Sequence, residues 1–257
     1  MKIDSHIHTF NHKETITIPE NYDYDYDKKV CFIDIEYDDL KNIDILKSYD
    51  NYITSDDFNE NDILLATGAN INDIKTLLEK YRHIFKGFGE LKLYDNYNGR
   101  KINNKKISFL KEVCQLSSKN GNLPIYVHWE LDSESDVKKI KSVLEKYPNI
   151  PIILCHCGFS KNDDLKSYSY IQICQLMRCY DNLWVDISYE ALDYFSKNIL
   201  KLFNLQLNRV IVGTDINNKL LNKENCQDLI NTILDKSNII RSYINSDKNT
   251  EELFKLK

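Results

Sequence analysis

Apolar residues along this chain fall into short unbroken runs separated by stretches of helical periodicity. Ile63-Leu64-Leu65-Ala66-Thr67 has the look of a buried strand, and Ile71, Ile74, Leu77, Leu78 and Tyr81 follow at the spacing of one helix face. Phe88 to Leu93 is a second run after two glycines. Ile107, Leu110, Val113 and Cys114 then mark a helix that stops at Asn120-Gly121. Ile125 to His128 is a strand, and Ser133 with Asp136 opens a helix through Val137, Ile140, Val143 and Leu144 that Pro148 ends. The cycle continues with Ile152 to His156, helical sequence at 170–179, Leu183 to Ile187 and a helix over 190–204. Arg209 to Gly213 and a helix through Cys226, Leu229, Ile230 and Ile233 complete it.

Unbroken apolar strands alternating with amphipathic helices imply a parallel sheet covered by helices. Six strands start near 63, 88, 124, 151, 183 and 209, a seventh is Met1 to His6, and Val30 to Ile35 supplies an eighth. Eight such units predict a (β/α)8 TIM barrel, an α/β fold, as a single domain over 1–257; barrels of this kind run to about 250 residues. Residues 9–29 are too short and polar to predict a helix, and the Tyr-Asp stretch from Tyr22 to Asp27 reads as a loop over one end.

Composition narrows the partners. A hydrophobic content of 42% supports a large core. The net charge of −5, with basic residues scattered along the chain, argues against nucleic acid. The start, Met1-Lys2-Ile3-Asp4, has no apolar leader, and no run approaches a membrane span. The expectation is a cytoplasmic protein with a small-molecule substrate and no membrane, with assembly into a homo-oligomer left open. Seven cysteines without a C-x-x-C pair read as reduced, mostly buried thiols. Alternation points Cys155 and Cys157 away from His156, and zinc ligation by them is the lesser alternative.

The ionisable residues carry the chemical signal. His6, Glu90, His128, His156 and Asp215 each fall at or just beyond the carboxyl end of a predicted strand. In a closed parallel barrel those ends meet at one mouth, where active sites lie. His128 and His156 are 28 residues apart, one βα unit. His6 and His8 form an H-x-H pair whose rings alternation places on one side, where both can chelate a divalent ion. Such a pair alone is weak evidence. The matching strand-end placement of His128, His156 and Asp215 gives it weight.

The set Asp4-x-His6-x-His8, Gly89-Glu90, His128, His156 and Gly213-Thr214-Asp215 resembles the amidohydrolase superfamily. It is most similar to the amidohydrolase-related (amidohydrolase 2) branch, with a secondary likeness to TatD-type metal-dependent hydrolases. The resemblance implies that His6 and His8 bind one metal, that His128 and His156 bind a second metal or substrate, and that Asp215 is ligand and proton shuttle. Glu90 resembles the TatD-type bridging carboxylate. Lys92, on the same side of the strand, is the alternative bridge if carboxylated, or else pairs with Glu90 or binds an anionic substrate. The implied cofactor is one or two divalent ions, zinc first, with manganese or iron also suited to these donors.

Bound ions lower the pKa of water from ~15.7 toward ~7. Asp215 is then the candidate base and later acid, and His128 or His156, where not bound to metal, could polarise the substrate oxygen. The expected function is a metal-dependent hydrolase cleaving an amide, ester, lactone or phosphoester bond of a small substrate. A mononuclear decarboxylase or hydratase, a TatD-like nuclease and a metal-binding protein without catalysis are the alternatives. Asp4 is expected to orient an imidazole. Asp186 reads first as a structural hydrogen bonder, with a role orienting solvent or His156 as the alternative. Trp129 and Glu130 suit either the pocket or the rim, His12 a loop and His83 the solvated surface. Asn217 stands where a PHP-type phosphoesterase would want histidine, and His128-Trp129-Glu130 does not match a deaminase-like His-x-x-Glu.

Overall fold

The apolar runs form strands β1 (Ile3–Thr9), β2 (Lys28–Ile33), β3 (Ile63–Ala66), β4 (Phe85–Lys92), β5 (Ile125–His128), β6 (Ile152–Leu154), β7 (Leu183–Ile187) and β8 (Val210–Val212). All pair in parallel with their chain neighbours, in the order β1 to β8. In this computed structural model the described residues are 1–9, 26–33, 44–55, 58–93, 104–159, 162–217 and 225–256. His12, residues 22–25 of the Tyr-Asp stretch, residues 34–35 and most of the 94–106 loop lie outside them. The sheet closes where β8 runs on into residues 213–216. The Thr214 and Asp215 amides donate to the His6 carbonyl at 3.2 and 2.8 Å, and the His8 amide donates to the Ile216 carbonyl at 3.1 Å. The result is the (β/α)8 barrel that the alternation predicted.

Pleating sorts each strand into two faces. Val30, Phe32, Ile63, Leu65, Tyr126, Ile153 and Ile211 pack together inside the barrel. Their neighbours Cys31, Leu64, Ile125, Val127 and Leu154 face outward into the main core. Helices α1 (Ile45–Ile53), α2 (Ile71–Tyr81), α3 (Asn104–Lys119), α4 (Glu134–Lys146), α5 (Asp163–Cys179), α6 (Glu190–Lys197) and α7 (Cys226–Arg241) follow among the described residues. Each turns its apolar stripe to that core, as Ile74, Leu77 and Leu78 of α2 illustrate. Asn70 and Asp73 cap α2 reciprocally, and Ser133 accepts from the Asp136 amide to start α4. The last helix, α8 (Ser246–Phe254), puts Leu253 and Phe254 against the barrel interior, and Phe254 stacks on Tyr126 at 6.3 Å.

Several elements differ from expectation. β4 begins at Phe85, earlier than the run at 88, and β6 ends at Leu154, short of His156. The helical stretch 190–204 divides into α6 and a 3-10 turn over Ile199–Asn204. Helix α1 was not foreseen. All seven cysteines are free, five of them buried.

Two register irregularities shape the mouth of the barrel. Between Asp4 and Ile7, β1 uses three residues where β2 uses two, and β4 does the same against β5 between Phe88 and Leu91. An extra residue reverses the alternation beyond it. Ile3 and His6 therefore both reach the interior, as do Gly87 and Glu90.

At the opposite end Arg241 ties the closure. Its guanidinium, nearly buried, donates to the carbonyls of Ile3 on β1 (2.6 Å) and Val212 on β8, and to Asp247 at 2.7 Å. Asp247 in turn accepts from the Ile3 amide at 2.9 Å. Replacing Arg241 by Met leaves two buried carbonyls and a carboxylate without this donor. The expected loss is about 2–4 kcal/mol of unfolding free energy, measured by urea denaturation with an unchanged slope.

Candidate metal centre

The ends of β1, β4, β5 and β6 and the turn after β8 bring His6, His8, Glu90, His128, His156 and Asp215 into one cluster. Asp215 Oδ1 lies 3.1 Å from His8 Nε2 and 3.5 Å from His6 Nε2, and its Oδ2 lies 3.8 Å from His156 Nδ1. Glu90 Oε1 is 2.7 Å from His128 Nδ1 and 3.5 Å from His156 Nε2, while Oε2 is 3.8 Å from His8 Nε2. Donor atoms of His6, His8 and Glu90 lie within 4.8 Å of one another, and so do those of Glu90, His128 and His156. Glu90 belongs to both groups. All six residues expected from the sequence therefore converge.

The backbone is shaped to allow this. A Cβ on Gly213 would stand 2.3 Å from the His6 Cβ, so only glycine lets β8 approach β1 so closely. A Cβ on Gly89 (φ +126°) would meet the Tyr126 carbonyl at 2.5 Å. His156 (φ 53°) and Asp215 (φ 56°) occupy the left-handed region that non-glycine residues rarely adopt. The turn carrying Asp215 is held by Asp4, which accepts from the Thr214 amide (3.0 Å) and hydroxyl (2.7 Å) and from the His6 amide (3.1 Å).

Asp4 is thus not the group that orients His6. Asp186, wholly buried on β7, accepts from His6 Nδ1 at 2.7 Å and from the Ser188 hydroxyl at 2.5 Å. Ser188 has one proton and gives it to Asp186, so its oxygen accepts from His156 Nδ1 at 2.9 Å. One carboxylate fixes both rings, the first directly and the second through a hydroxyl. Each ring is left with Nε2 as its open donor. His6 Nε2 is fully buried and has no hydrogen-bond partner. Such an atom, beside two carboxylates and three further imidazoles, fits a bound divalent cation.

Electrostatics agree. Burial opposes charge on His6, yet Asp186, then Asp215 and Glu90, push it up to about 10. Burial takes His128 down to about 4 against the pull of Glu90. Glu90 and Asp215 are buried, which disfavours their charge, but the surrounding imidazoles hold both below the ordinary carboxylate range. His128 leads for Glu90 and His156 for Asp215.

The neighbours divide. Trp129 is 1% exposed and packs into the core outside the barrel. Glu130 is buried with Oε1 4.0 Å from His128 Nε2. Lys92 stands opposite His128 in the register of β4 and β5. His83 is exposed. Sequence reasoning missed Ser188, although Asp186-x-Ser188 at the end of β7 has the spacing of two residues on one face. Cys155 is also displaced from expectation. β6 stops before it, it lies inside the barrel, and its donor atom is within 4.8 Å of those of His6 and Asp186.

A parallel barrel with a histidine–carboxylate cluster at its carboxyl mouth defines the class. Comparison with known proteins narrows it. A family model described as amidohydrolase matches residues 58–220, and the chain belongs to that family, whose members are hydrolases of the amidohydrolase superfamily. Among solved structures, an amidohydrolase from Burkholderia multivorans with bound zinc is similar, with 12% identity, all of both chains covered and a TM-score of 0.59. A probable 2-pyrone-4,6-dicarboxylic acid hydrolase from Acinetobacter baumannii shares 15% identity over 99% of each chain, with a TM-score of 0.60. Dihydroorotase from Campylobacter jejuni shares 18% identity over all of this chain and 83% of its own, with a TM-score of 0.55. At these identities the likeness is one of fold. No curated protein matches the chain. Among the described residues, no helix is long and apolar enough to cross a membrane.

Two outcomes follow from the ring tethers. Asp186→Asn is expected to weaken zinc binding about 10- to 100-fold in a chelator-competition titration, because it withdraws the carboxylate that fixes both rings. The His6 pKa is raised in the folded state from 6.5 to about 10. The folded chain therefore binds more protons than the unfolded chain between those values, and stability falls as pH rises through that window. Chelator-treated protein is expected to melt progressively lower from pH 7 to pH 10, while zinc-loaded protein, whose His6 stays neutral, changes less. Calorimetry across that range checks it.

Proposed function

We propose that this chain is a metal-dependent hydrolase that cleaves an amide, ester, lactone or phosphoester bond of a small substrate. The observation that carries this reading is the sharing of Glu90 between the His6–His8 group and the His128–His156 group. A carboxylate with one oxygen toward each group suits a bridge between two ions. In this reading His6 and His8 hold one ion, His128 and His156 the other, and Asp215 faces both. Bound ions would supply an acidified water and polarise the scissile bond.

Asp215 is the group placed to take the proton of that water and return it to the leaving group. Its carboxylate stays ionised beside three imidazoles. Asp186 and Ser188 keep His6 and His156 in the tautomers that present Nε2. Zinc is the preferred ion, with manganese or iron as alternatives. The hydrolytic activities named for the Acinetobacter and Campylobacter structures support hydrolysis over lyase chemistry. The likeness to TatD-type enzymes rests on Glu90, while the net charge of −5 disfavours a long nucleic acid. We read the protein as cytoplasmic.

The test is stoichiometry joined to turnover. Metal-free protein titrated with zinc is expected to take up two equivalents, and Glu90→Gln one. Asp215→Asn is expected to retain metal yet lose about 10²- to 10⁴-fold in rate on whichever lactone, ester, amide or phosphoester of a panel the native protein cleaves. One equivalent in the native protein, unchanged by Glu90→Gln, favours a mononuclear decarboxylase or hydratase instead.

A further inference from the structure

The chain leaves its strand conformation at Leu154, and the following residues enter a tight turn with His156 and Cys157 left-handed. Strict alternation through 155–157 would have set both cysteines apart from the site. The turn treats them differently. Cys157 packs into the core outside the barrel, whereas Cys155, 1% exposed, sits inside it. The Cys155 thiol faces the Glu90 carboxylate. Its sulfur, a ring nitrogen of His6 and a carboxylate oxygen of Asp186 lie within 4.8 Å of one another. On the same two residues, His6 Nε2 and Asp186 Oδ1 are buried without a hydrogen-bond partner. A buried sulfur beside an unsatisfied imidazole nitrogen and an unsatisfied carboxylate oxygen is an arrangement that a soft cation would complete.

We propose that Cys155 is a ligand of the ion held by His6 and His8, supplying a thiolate from the turn after β6 and tuning the centre toward zinc over manganese or iron. The inference rests on the metal centre proposed above and extends it to a further donor. On ligation the S–H bond breaks, the metal–sulfur bond forms and the proton leaves to the buffer. Thiolate is a softer donor than the imidazoles and carboxylates around it, and manganese gains least from it.

Cobalt(II) is the probe. Chelator-treated protein loaded with cobalt is expected to show a near-ultraviolet thiolate-to-metal charge-transfer band beside its visible ligand-field bands. The band should persist in Cys157→Ser and vanish in Cys155→Ser, whose preference for zinc over manganese should fall about tenfold or more in competition. X-ray absorption on the zinc-loaded native protein, which needs no variant to fold, is expected to find sulfur at about 2.3 Å. Ligand-field bands without the charge-transfer band, and no sulfur shell, overturn the role of Cys155 while leaving the metal centre standing. No uptake of cobalt or zinc overturns both.

Discussion

A charged group removed from water must be answered by other groups inside the protein, and Asp186 is where this constraint is felt most. Its carboxylate is completely buried, and what meets it is the Nδ1 proton of His6 and the hydroxyl proton of Ser188. That arrangement carries consequences outward. A serine that has spent its only proton must accept from His156, so the state of two rings on different strands follows from one carboxylate on a third. The open nitrogens then face Glu90 and Asp215.

The barrel supplies this constellation through irregularity as much as regularity. In β1 and β4 an extra residue lets interior apolar residues at the bottom and ionisable residues at the top share one face. The turns carrying His156 and Asp215 are left-handed, and neither residue is a glycine. They are held by surrounding bonds, Asp4 to Thr214 in one case and His156 to Ser188 in the other. Strain of this kind is tolerated where the structure around it is over-determined, and it collects at functional sites. Apolar packing sets the walls, and Phe254 with Leu253 shuts the far end.

Much of the architecture is legible in the chain because its signals are local. Continuous apolar runs mark β3, β5 and β7 closely, and the Ser133–Asp136 pattern marks the start of α4. Helix α1 escaped notice although Ile45, Tyr49 and Tyr52 have helical spacing and are buried. Its segment follows a polar stretch and carries tyrosines beside charged residues, which dilute the apolar stripe. The split of 190–204 into a helix and a 3-10 turn leaves Leu200 and Phe203 exposed, so hydrophobicity there misreports burial.

The sequence by itself determined the kind of barrel and the six residues gathered at its mouth, because strand ends in a closed parallel barrel have only one place to meet. What it could not determine was which carboxylate serves which imidazole. Asp4 is two residues from His6 in the chain, yet it binds the backbone of the turn after β8, while Asp186, 180 residues away, holds the ring. The positions of Ser188 and Cys155 likewise depended on contacts between strands and on a turn that breaks alternation. Periodicity describes a single strand in isolation. Bulges, left-handed turns and hydrogen bonds across a barrel exist only once all eight strands are in place.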